Sequence, residues 1–194
     1  MTRIYKHRVN SIEALAQVPE HLGLEFDLRS SGDQILITHD PFTRGPLAEE
    51  FFPRIGPRPC IFNVKCEGIE PRVRELADLC GITDYFFLDT SAPAAVKLVR
   101  AGERRFAVRY SEFEPIEAAL AWAGKAEWVW VDCFEAFPGD ARDWGKLSES
   151  FKICLVSPEL QAHGPEAFQR LKSQLEGRRY DAVCTKDPSL WGAP

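Results

Sequence analysis

Ionisable side chains stand at the ends of the first apolar runs of the sequence. His7 and Arg8 close the first run, and Glu25 and Asp27 lie in the second. Alternate residues of a strand point to the same face, so the spacing places these two carboxylates side by side. Paired carboxylates repel unless a cation lies between them, and oxygen ligands suit a hard ion such as Mg²⁺ or Ca²⁺. A solvated pair of acids, or one acid paired with Arg29, is the alternative.

The histidines and basic residues near these acids extend this chemistry. The chain has four histidines, and two of them, His7 and His39, fall at predicted strand ends. Such a pair can divide acid–base work, one taking a proton from the nucleophile and the other giving one to the leaving oxygen. Arg8 and Lys65 add positive charge that binds phosphate oxygens. The set suits hydrolysis of a phosphoester, whose transition state is anionic.

The elements that must position these residues follow an alternating pattern. Helical stretches at 70–80, 92–101, 114–123 and 165–176 each end at a glycine, the usual stop signal. Eight apolar runs predict strands buried on both faces; they span 3–8, 22–29, 59–66, 85–89, 106–110, 128–133, 151–156 and 181–185. Eight such units predict an α/β protein with one (β/α)8 TIM barrel as a single domain over residues 1–194.

Two segments depart from this rhythm. Residues 34–38 read as a short extra strand, joined to the second strand by a hairpin turn at 31–33. Residues 40–58 are rich in Pro, Gly and Phe and predict a loop with a short helix. Phe42, Phe51 and Phe52 lie in this loop, and a hydrophobic rim beside the site is one hypothesis for them.

Polar residues close the remaining predicted strands as well. In such barrels the chemistry lies at the carboxyl ends of the strands. The polar residues there are Asn63, Lys65, Asp89, Arg109, Asp132, Ser157, Glu159, Thr185 and Lys186. They predict a polar site at one mouth of the barrel. The alternative is that some of them, notably Asp89, Asp132 and Thr185, cap helices or meet water.

Composition narrows the classes of partner. The formal net charge of −5 argues against non-specific binding to nucleic acid or to anionic membranes. The first residues contain no apolar signal segment, and no apolar run reaches the length of a membrane span. We therefore expect a cytoplasmic protein whose partner is a small-molecule phosphodiester. The six cysteines lack C-x-x-C spacing and predict small buried hydrophobes rather than disulfides or a metal site.

Four short motifs carry a family resemblance. HR at 7–8, GLEFDLR at 23–29, THD at 38–40 and NVK at 63–65 resemble, in order and spacing, the signature of the glycerophosphodiester phosphodiesterase family. That family shares its barrel superfamily with phosphatidylinositol-specific phospholipase C. The segment DAVCTKDP at 181–188 resembles its last strand.

The resemblance implies a role for each matching residue. His7 and His39 would be the acid–base pair, and Arg8 and Lys65 would bind the phosphate. The divalent metal ion would lie between the ligands at the three matching metal positions, which are Glu25, Asp27 and Asn63. The implied reaction cleaves a phosphodiester to a phosphomonoester and an alcohol, with water or a neighbouring substrate hydroxyl as the nucleophile.

The sequence departs from the family pattern at three places. Asn63 stands where the family usually has a glutamate, which removes one negative charge and weakens metal binding unless Glu67 or Asp89 compensates. Residues 40–58 are shorter than the family's usual insertion, so the pocket is expected to be more open. Residues 9–13 replace the usual Glu-Asn-Thr.

Three functions are therefore in competition. The first is a metal-dependent phosphodiesterase acting on a glycerophosphodiester or a related small polyol phosphodiester. The second is a non-catalytic or weakly catalytic barrel that binds a phosphorylated metabolite, and Asn63 motivates it. The third is a lyase that uses Lys65 or Lys186 as a Schiff base. The third leaves both histidines and the paired carboxylates without a role.

Overall fold

Parallel strands alternate with helices along the whole described chain. A computed structural model describes residues 2–192. The strands are β1 Arg3–Lys6, β2 Gly23–Ser31, β3 Gln34–Ile37, β4 Cys60–Val64, β5 Tyr85–Leu88, β6 Ala107–Tyr110, β7 Trp128–Val131, β8 Lys152–Val156 and β9 Ala182–Thr185. The helices are α1 Ile12–Gln17, α2 Ala48–Phe51, α3 Glu70–Leu79, α4 Ala92–Arg100, α5 Ile116–Leu120, α6 Ala141–Ser150 and α7 Pro165–Gln174. Short 3₁₀ helices cover Phe52–Arg54, Pro158–Gln161 and Pro188–Trp191.

The described chain divides into two compact units. The first unit covers residues 5–103. In it, β2 pairs in parallel with the end of β1 on one side and with β4 on the other, and β4 pairs in parallel with β5. β3 pairs antiparallel with the second half of β2, and its register joins Leu28 to Ile37. The extra strand of the sequence prediction is therefore a hairpin strand beside β2.

The second unit covers residues 104–192 together with 2–4. Its parallel strands run in the order β6, β7, β8 and β9. The start of β1 lies beside β9, where the backbone N–H of Arg3 donates to the carbonyl of Asp181 at 2.9 Å. No helix among residues 2–192 is both long and apolar enough to span a bilayer. The prediction of a single domain over 1–194 stays a prediction.

β2 and β4 carry polar residues of the site on one face and aromatic rings on the other. In β2, Glu25 and Asp27 share a face while Phe26 points the opposite way, as the period of two requires. The parallel register sets Asp27 beside Asn63 and Phe26 beside Phe62. The rings form an aromatic cluster with centroid separations of 4.5–5.8 Å, consisting of Phe26, Phe51, Phe52, Phe62, Tyr85 and Phe87. This cluster supports the strands from behind and fixes where the polar face lies.

Local sequence accounts for the helix boundaries. Ser11 caps α1, its hydroxyl accepting from the Ala14 N–H at 3.0 Å. After α3 and α4 the chain turns at Gly81 (φ 69°) and Gly102 (φ 76°), as the glycine pattern predicts. α5 begins later than the predicted 114–123 because Pro115 disfavours a helical conformation at Glu114, and Pro115 itself is extended as the cap; the helix also ends earlier, at Leu120.

The cysteines form no disulfide among residues 2–192. Four of the six, Cys60, Cys133, Cys154 and Cys184, are buried. Cys66 is partly exposed and accepts a hydrogen bond from the Ser30 N–H at 3.0 Å. Most of them therefore serve as the small buried hydrophobes that the sequence predicts.

Candidate active site

The turn after β1 presents His7 and Arg8 to the carboxylate of Glu25. Arg8 has a left-handed backbone (φ 59°), uncommon for a residue with a Cβ, and this conformation aims its N–H at Glu25 Oε2, 2.6 Å away. The next N–H, that of Val9, donates to the Glu25 carbonyl at 2.8 Å. His7 Nε2 lies 3.7 Å from Glu25 Oε2, and its side chain keeps 17% of its surface exposed. The turn therefore ties an accessible imidazole to a buried acid.

The carboxylates of Glu25 and Asp27 are both fully buried at 0% exposure. Burial raises the pKa of Glu25 to about 7, and the charge of Asp27 adds to this, against the lowering effect of hydrogen bonds from Asn63 and the Arg8 N–H. Two acids that share a dry site in this way are held at a cost in free energy. A cation bound between the two carboxylates would relieve that cost.

Asn10 holds the carboxylate of Asp27 from the side. Its amide Nδ2 donates to Asp27 Oδ2 at 2.7 Å, and its Oδ1 accepts from the Asp27 backbone N–H at 3.0 Å. This two-way contact fixes the carboxylate plane and leaves Oδ1 of Asp27 for another partner. Asn10 lies within residues 9–13, which depart from the family pattern, and the sequence predicts no role for it. An amide three residues after a strand-end histidine was the available signal.

Asn63 completes the cluster across the strand pair. Its Nδ2 donates to Glu25 Oε1 at 2.8 Å. Asn63 Oδ1 and Asp27 Oδ1 are buried and accept no hydrogen bond from any residue that the structure describes. Buried acceptors without a donor call for an explanation, and a cation is one that satisfies both.

The donor set fits a hard divalent ion. Two carboxylates and one amide carbonyl are oxygen ligands of the kind that Mg²⁺ and Ca²⁺ take, and Glu25, Asp27 and Asn63 would hold the ion. Within residues 2–192, no group of three or more His, Cys, Asp or Glu side chains is arranged to hold a metal. The third ligand to such an ion would be the amide of Asn63, which carries no charge.

Lys65 lies between two carboxylates at the end of β4. Its Nζ is 2.8 Å from Asp89 Oδ2 and 3.6 Å from Asp27 Oδ1. Asp89 follows β5 with a left-handed backbone (φ 59°), and the cap of α4 is Ser91 rather than Asp89. On the other side of Asp27, Arg8 Nε lies 3.8 Å from Oδ2 with about half of its side chain exposed. Two cations thus flank the buried acids, as phosphate binding requires.

His39 forms a dyad with the next residue. Its Nδ1 lies 2.7 Å from Asp40 Oδ1. The hydrogen bond from His39 lowers the pKa of Asp40, so that carboxyl is ionised near neutral pH and acts only as an acceptor. Because Asp40 can only accept, the proton in this contact lies on His39 Nδ1, and a neutral imidazole in this position would have its lone pair at Nε2.

Arg29 connects the segments that carry His39 and Lys65. Its Nε donates to the His39 carbonyl at 2.8 Å, and its Nη1 donates to the Lys65 carbonyl at 2.9 Å. The suggestion that Arg29 pairs with one of the acids finds no support in these contacts, because both go to backbone carbonyls. The spacing in the sequence could not show this, since the two carbonyls belong to different strands.

All seven predicted site residues lie in the first unit. The structure joins six of them, all but His39, in one network of contacts around Glu25 and Asp27. His39 is tied to that network through Arg29 and the backbone of Lys65. The loop aromatics divide: Phe51 and Phe52 are buried in the aromatic cluster, so the rim hypothesis is wrong for them, and Phe42 is exposed.

The polar strand ends of the second unit form their own network. Asp132 accepts from Arg109 at 2.8 Å and from Gln161 at 2.7 Å, and Thr185 donates to Glu159 at 2.6 Å. These groups are satisfied by protein partners, which is what a structural role requires. Asp132 and Thr185 are buried and bonded to other protein groups, so neither of them caps a helix or meets water as the alternative had predicted.

Comparison with known proteins shows the fold. No family model matches the sequence, and no curated protein matches it significantly. A glycerophosphodiester phosphodiesterase from Agrobacterium tumefaciens superposes with a TM-score of 0.71 at 14% identity over 100% of both chains. A glycerophosphoryl diester phosphodiesterase from Parabacteroides distasonis gives 0.65 at 14% identity, over 98% of this chain and 84% of the other.

These similarities confirm the fold class, an α/β (β/α)8 TIM barrel with a short extra hairpin strand after the second strand. The resemblance drawn from the sequence motifs is likewise confirmed, since the structural neighbours are glycerophosphodiester phosphodiesterases. At 14% identity the comparison shows the fold alone, so a functional assignment has to be argued from the residues of the site.

Proposed function

We propose that this protein is a metal-dependent phosphodiesterase. It hydrolyses a glycerophosphodiester, or a related small polyol phosphodiester, to a phosphomonoester and an alcohol. The observation that carries the proposal is the buried cluster of Glu25, Asp27 and Asn63, with two acceptor oxygens that lack donors, flanked by accessible histidine and basic side chains. The structural neighbours, named as phosphodiesterases of this type, support it.

The side chains divide the work of the reaction by position. Arg8 and Lys65 bind the non-bridging phosphate oxygens and stabilise the negative charge that grows in the transition state. His39, with its proton held on Nδ1 by Asp40, takes a proton at Nε2 from the nucleophile. His7, beside the carboxylate of Glu25, gives a proton to the leaving oxygen. The divalent ion, when bound, would add Lewis-acid charge at the phosphate.

One observation favours a second function. The Asn63 amide already donates to Glu25, so the acid pair is partly satisfied without an ion. A site of this kind could bind a phosphorylated metabolite with little or no turnover. The Schiff-base lyase gives no role to His7, His39 or the buried acid pair, whose contacts the structure does show.

The deciding experiment measures hydrolysis of bis(p-nitrophenyl) phosphate and a panel of glycerophosphodiesters. Each reaction is run with Mg²⁺, Ca²⁺, Mn²⁺ or EDTA on the wild type, His7→Ala and His39→Ala, with His21→Ala as the matched control because that imidazole is exposed in a loop before β2. We expect metal-dependent release that both site variants lower by about 10²-fold or more and that the control preserves.

Binding measurements separate the two functions. If the wild type releases no product but binds glycerol phosphate in calorimetry, and Arg8→Ala abolishes that binding, the barrel is a binding protein. Hydrolysis that is equal in EDTA and in metal would contradict the role given to Glu25, Asp27 and Asn63. Hydrolysis unchanged in both His7→Ala and His39→Ala would contradict the acid–base assignment.

A further inference from the structure

The loop that follows the catalytic dyad carries an unusual phenylalanine. Phe42 is completely exposed, at 107% of its reference area, and its backbone is left-handed (φ 63°). A bulky side chain seldom adopts that conformation, and exposure of a whole ring to water is unfavourable as well. Strain of this kind persists where the surroundings impose it and is often part of a function.

Contacts on both sides impose the conformation. The Thr43 hydroxyl donates to the Asp40 carbonyl at 2.7 Å and lies 2.6 Å from the Thr38 hydroxyl. Gly45 packs so closely that a Cβ there would lie 2.1 Å from the carbonyl oxygen of Ile37. Contacts therefore fix the backbone on either side of Phe42, and the exposed position of the ring follows from that fixed backbone.

Basic residues near this loop bear on which kind of ligand could contact the ring. Phe42 is three residues from His39, which limits their Cα separation to about 11 Å. Arg44 in the same loop is exposed, and Arg8 is half exposed beside Asp27. An anionic head that reaches Arg8 with an apolar tail on the same molecule would satisfy both the charges and the ring. A fully polar diester would leave the ring in water.

We infer that Phe42 contacts an apolar chain on the substrate, and that the protein selects amphiphilic phosphodiesters, those that carry an unbranched alkyl or acyl chain. The turnover of such a substrate rests on the proposed phosphodiesterase function, but its recognition does not. Another exposed ring, Phe113 (66% exposed), differs because it packs on Phe134 at 6.0 Å. Phe113 therefore serves as a matched control.

Binding of a homologous series tests the inference. Alkyl phosphocholines with six, eight and ten carbons, each below its micelle concentration, are titrated into His7→Ala protein with Ca²⁺ present, with phosphocholine as the chainless reference. Full burial of a methylene corresponds to about fourfold in affinity, and contact along one side to roughly half of that free energy. We expect roughly twofold tighter binding per methylene in the parent and in Phe113→Ala, a flat series in Phe42→Ala, and most of the slope in Phe42→Leu.

The outcomes separate this inference from the proposed function. A slope that survives Phe42→Ala, or a flat series in the parent, overturns the inference. If Phe42→Ala loses binding to phosphatidylcholine vesicles while the monomer slope stays the same, the ring meets a membrane surface and the inference is again overturned. Chain-dependent binding without hydrolysis in the wild type would remove the proposed function and leave the inference standing. Hydrolysis without chain dependence would do the reverse.

Discussion

Asn63→Asp should reveal how the buried acids are held, because it changes the amide to a carboxylate of the same size. Asn63 is 6% exposed, and its amide donates to Glu25 at 2.8 Å. A hydrogen bond to a buried charged group contributes about 1.5–3 kcal/mol. The substitution removes that bond and brings a third carboxylate against the other two. At pH 8, without metal, we expect the free energy of unfolding to fall by about 3 kcal/mol.

The loss should depend on pH, with a definite sign. The pKa of Glu25 is raised from 4.5 to about 7 by burial and by Asp27. The folded protein therefore binds more protons than the unfolded chain in this window, and stability falls as pH rises through it, by roughly 3 kcal/mol in the wild type. Near pH 5.5 protonated Glu25 can donate to the introduced carboxylate. The variant should then lie within about 1 kcal/mol of the wild type.

Urea unfolding in EDTA, at pH 5.5 and at pH 8, measures both values. Gln161→Glu is the matched control, because it makes the same change against Asp132, whose oxygen lies 2.7 Å from the Gln161 amide, in the second unit. Added Ca²⁺ should stabilise Asn63→Asp more than the wild type, by about 1.4 kcal/mol for each tenfold gain in affinity. It should stabilise Gln161→Glu by the same amount as the wild type.

Two results would refute this reasoning. Equal stability of Asn63→Asp and the wild type at pH 8 in EDTA would mean that the amide does not hold Glu25 as the structure describes. An identical response to Ca²⁺ in all three proteins would mean that the ion does not lie beside residue 63.

Three further predictions concern other parts of the chain. Asp40→Asn should lower kcat by about 10²-fold with little change in KM, because the amide no longer fixes the proton of His39 on Nδ1. Steady-state kinetics measure both constants, and an unchanged kcat would contradict a catalytic role for the contact between His39 and Asp40. The carboxylate of Glu112 accepts hydrogen bonds from three backbone N–H groups at 134–136. Burial raises the pKa of Glu112, but these hydrogen bonds outweigh that effect, and the net pKa lies below the usual value of 4.5. The bonds should therefore break as the pH falls through that lowered pKa, and loss of amide-exchange protection at 134–136 in acid would show it. Phe51→Ala should cost about 3–5 kcal/mol of stability in urea unfolding, because it empties part of the aromatic cluster; a loss under 1 kcal/mol would contradict that packing.

The positions of the strand-borne residues could be predicted because a strand has a simple period. Glu25 and Asp27 share a face by alternation, and the parallel register places Asn63 beside Asp27. Lys65 continues that face beyond the end of β4 and reaches the same carboxylate. The barrel class followed from the count of apolar runs and from the glycines that end helices.

The supporting residues could not be predicted from period or count. Asn10 and Arg29 act through contacts that cross between segments distant in sequence, and nothing local in the chain fixes their partners. The rim hypothesis for Phe51 and Phe52 was wrong for a related reason. Phe51 ends α2 and Phe52 begins the 3₁₀ helix that follows it, and both rings pack in the aromatic cluster, so loop composition concealed a core role.

The double contact of Arg29 has a consequence for engineering of this scaffold. One guanidinium group holds the backbone of both His39, the proposed acid–base residue, and Lys65, the proposed phosphate ligand. A change at position 29 therefore disturbs both residues at once, and its effect will not add to those of changes at His39 or Lys65. Libraries that aim to alter substrate range should leave this arginine fixed and vary residues 41–44, which are exposed and whose side chains make no contact with it in the described structure.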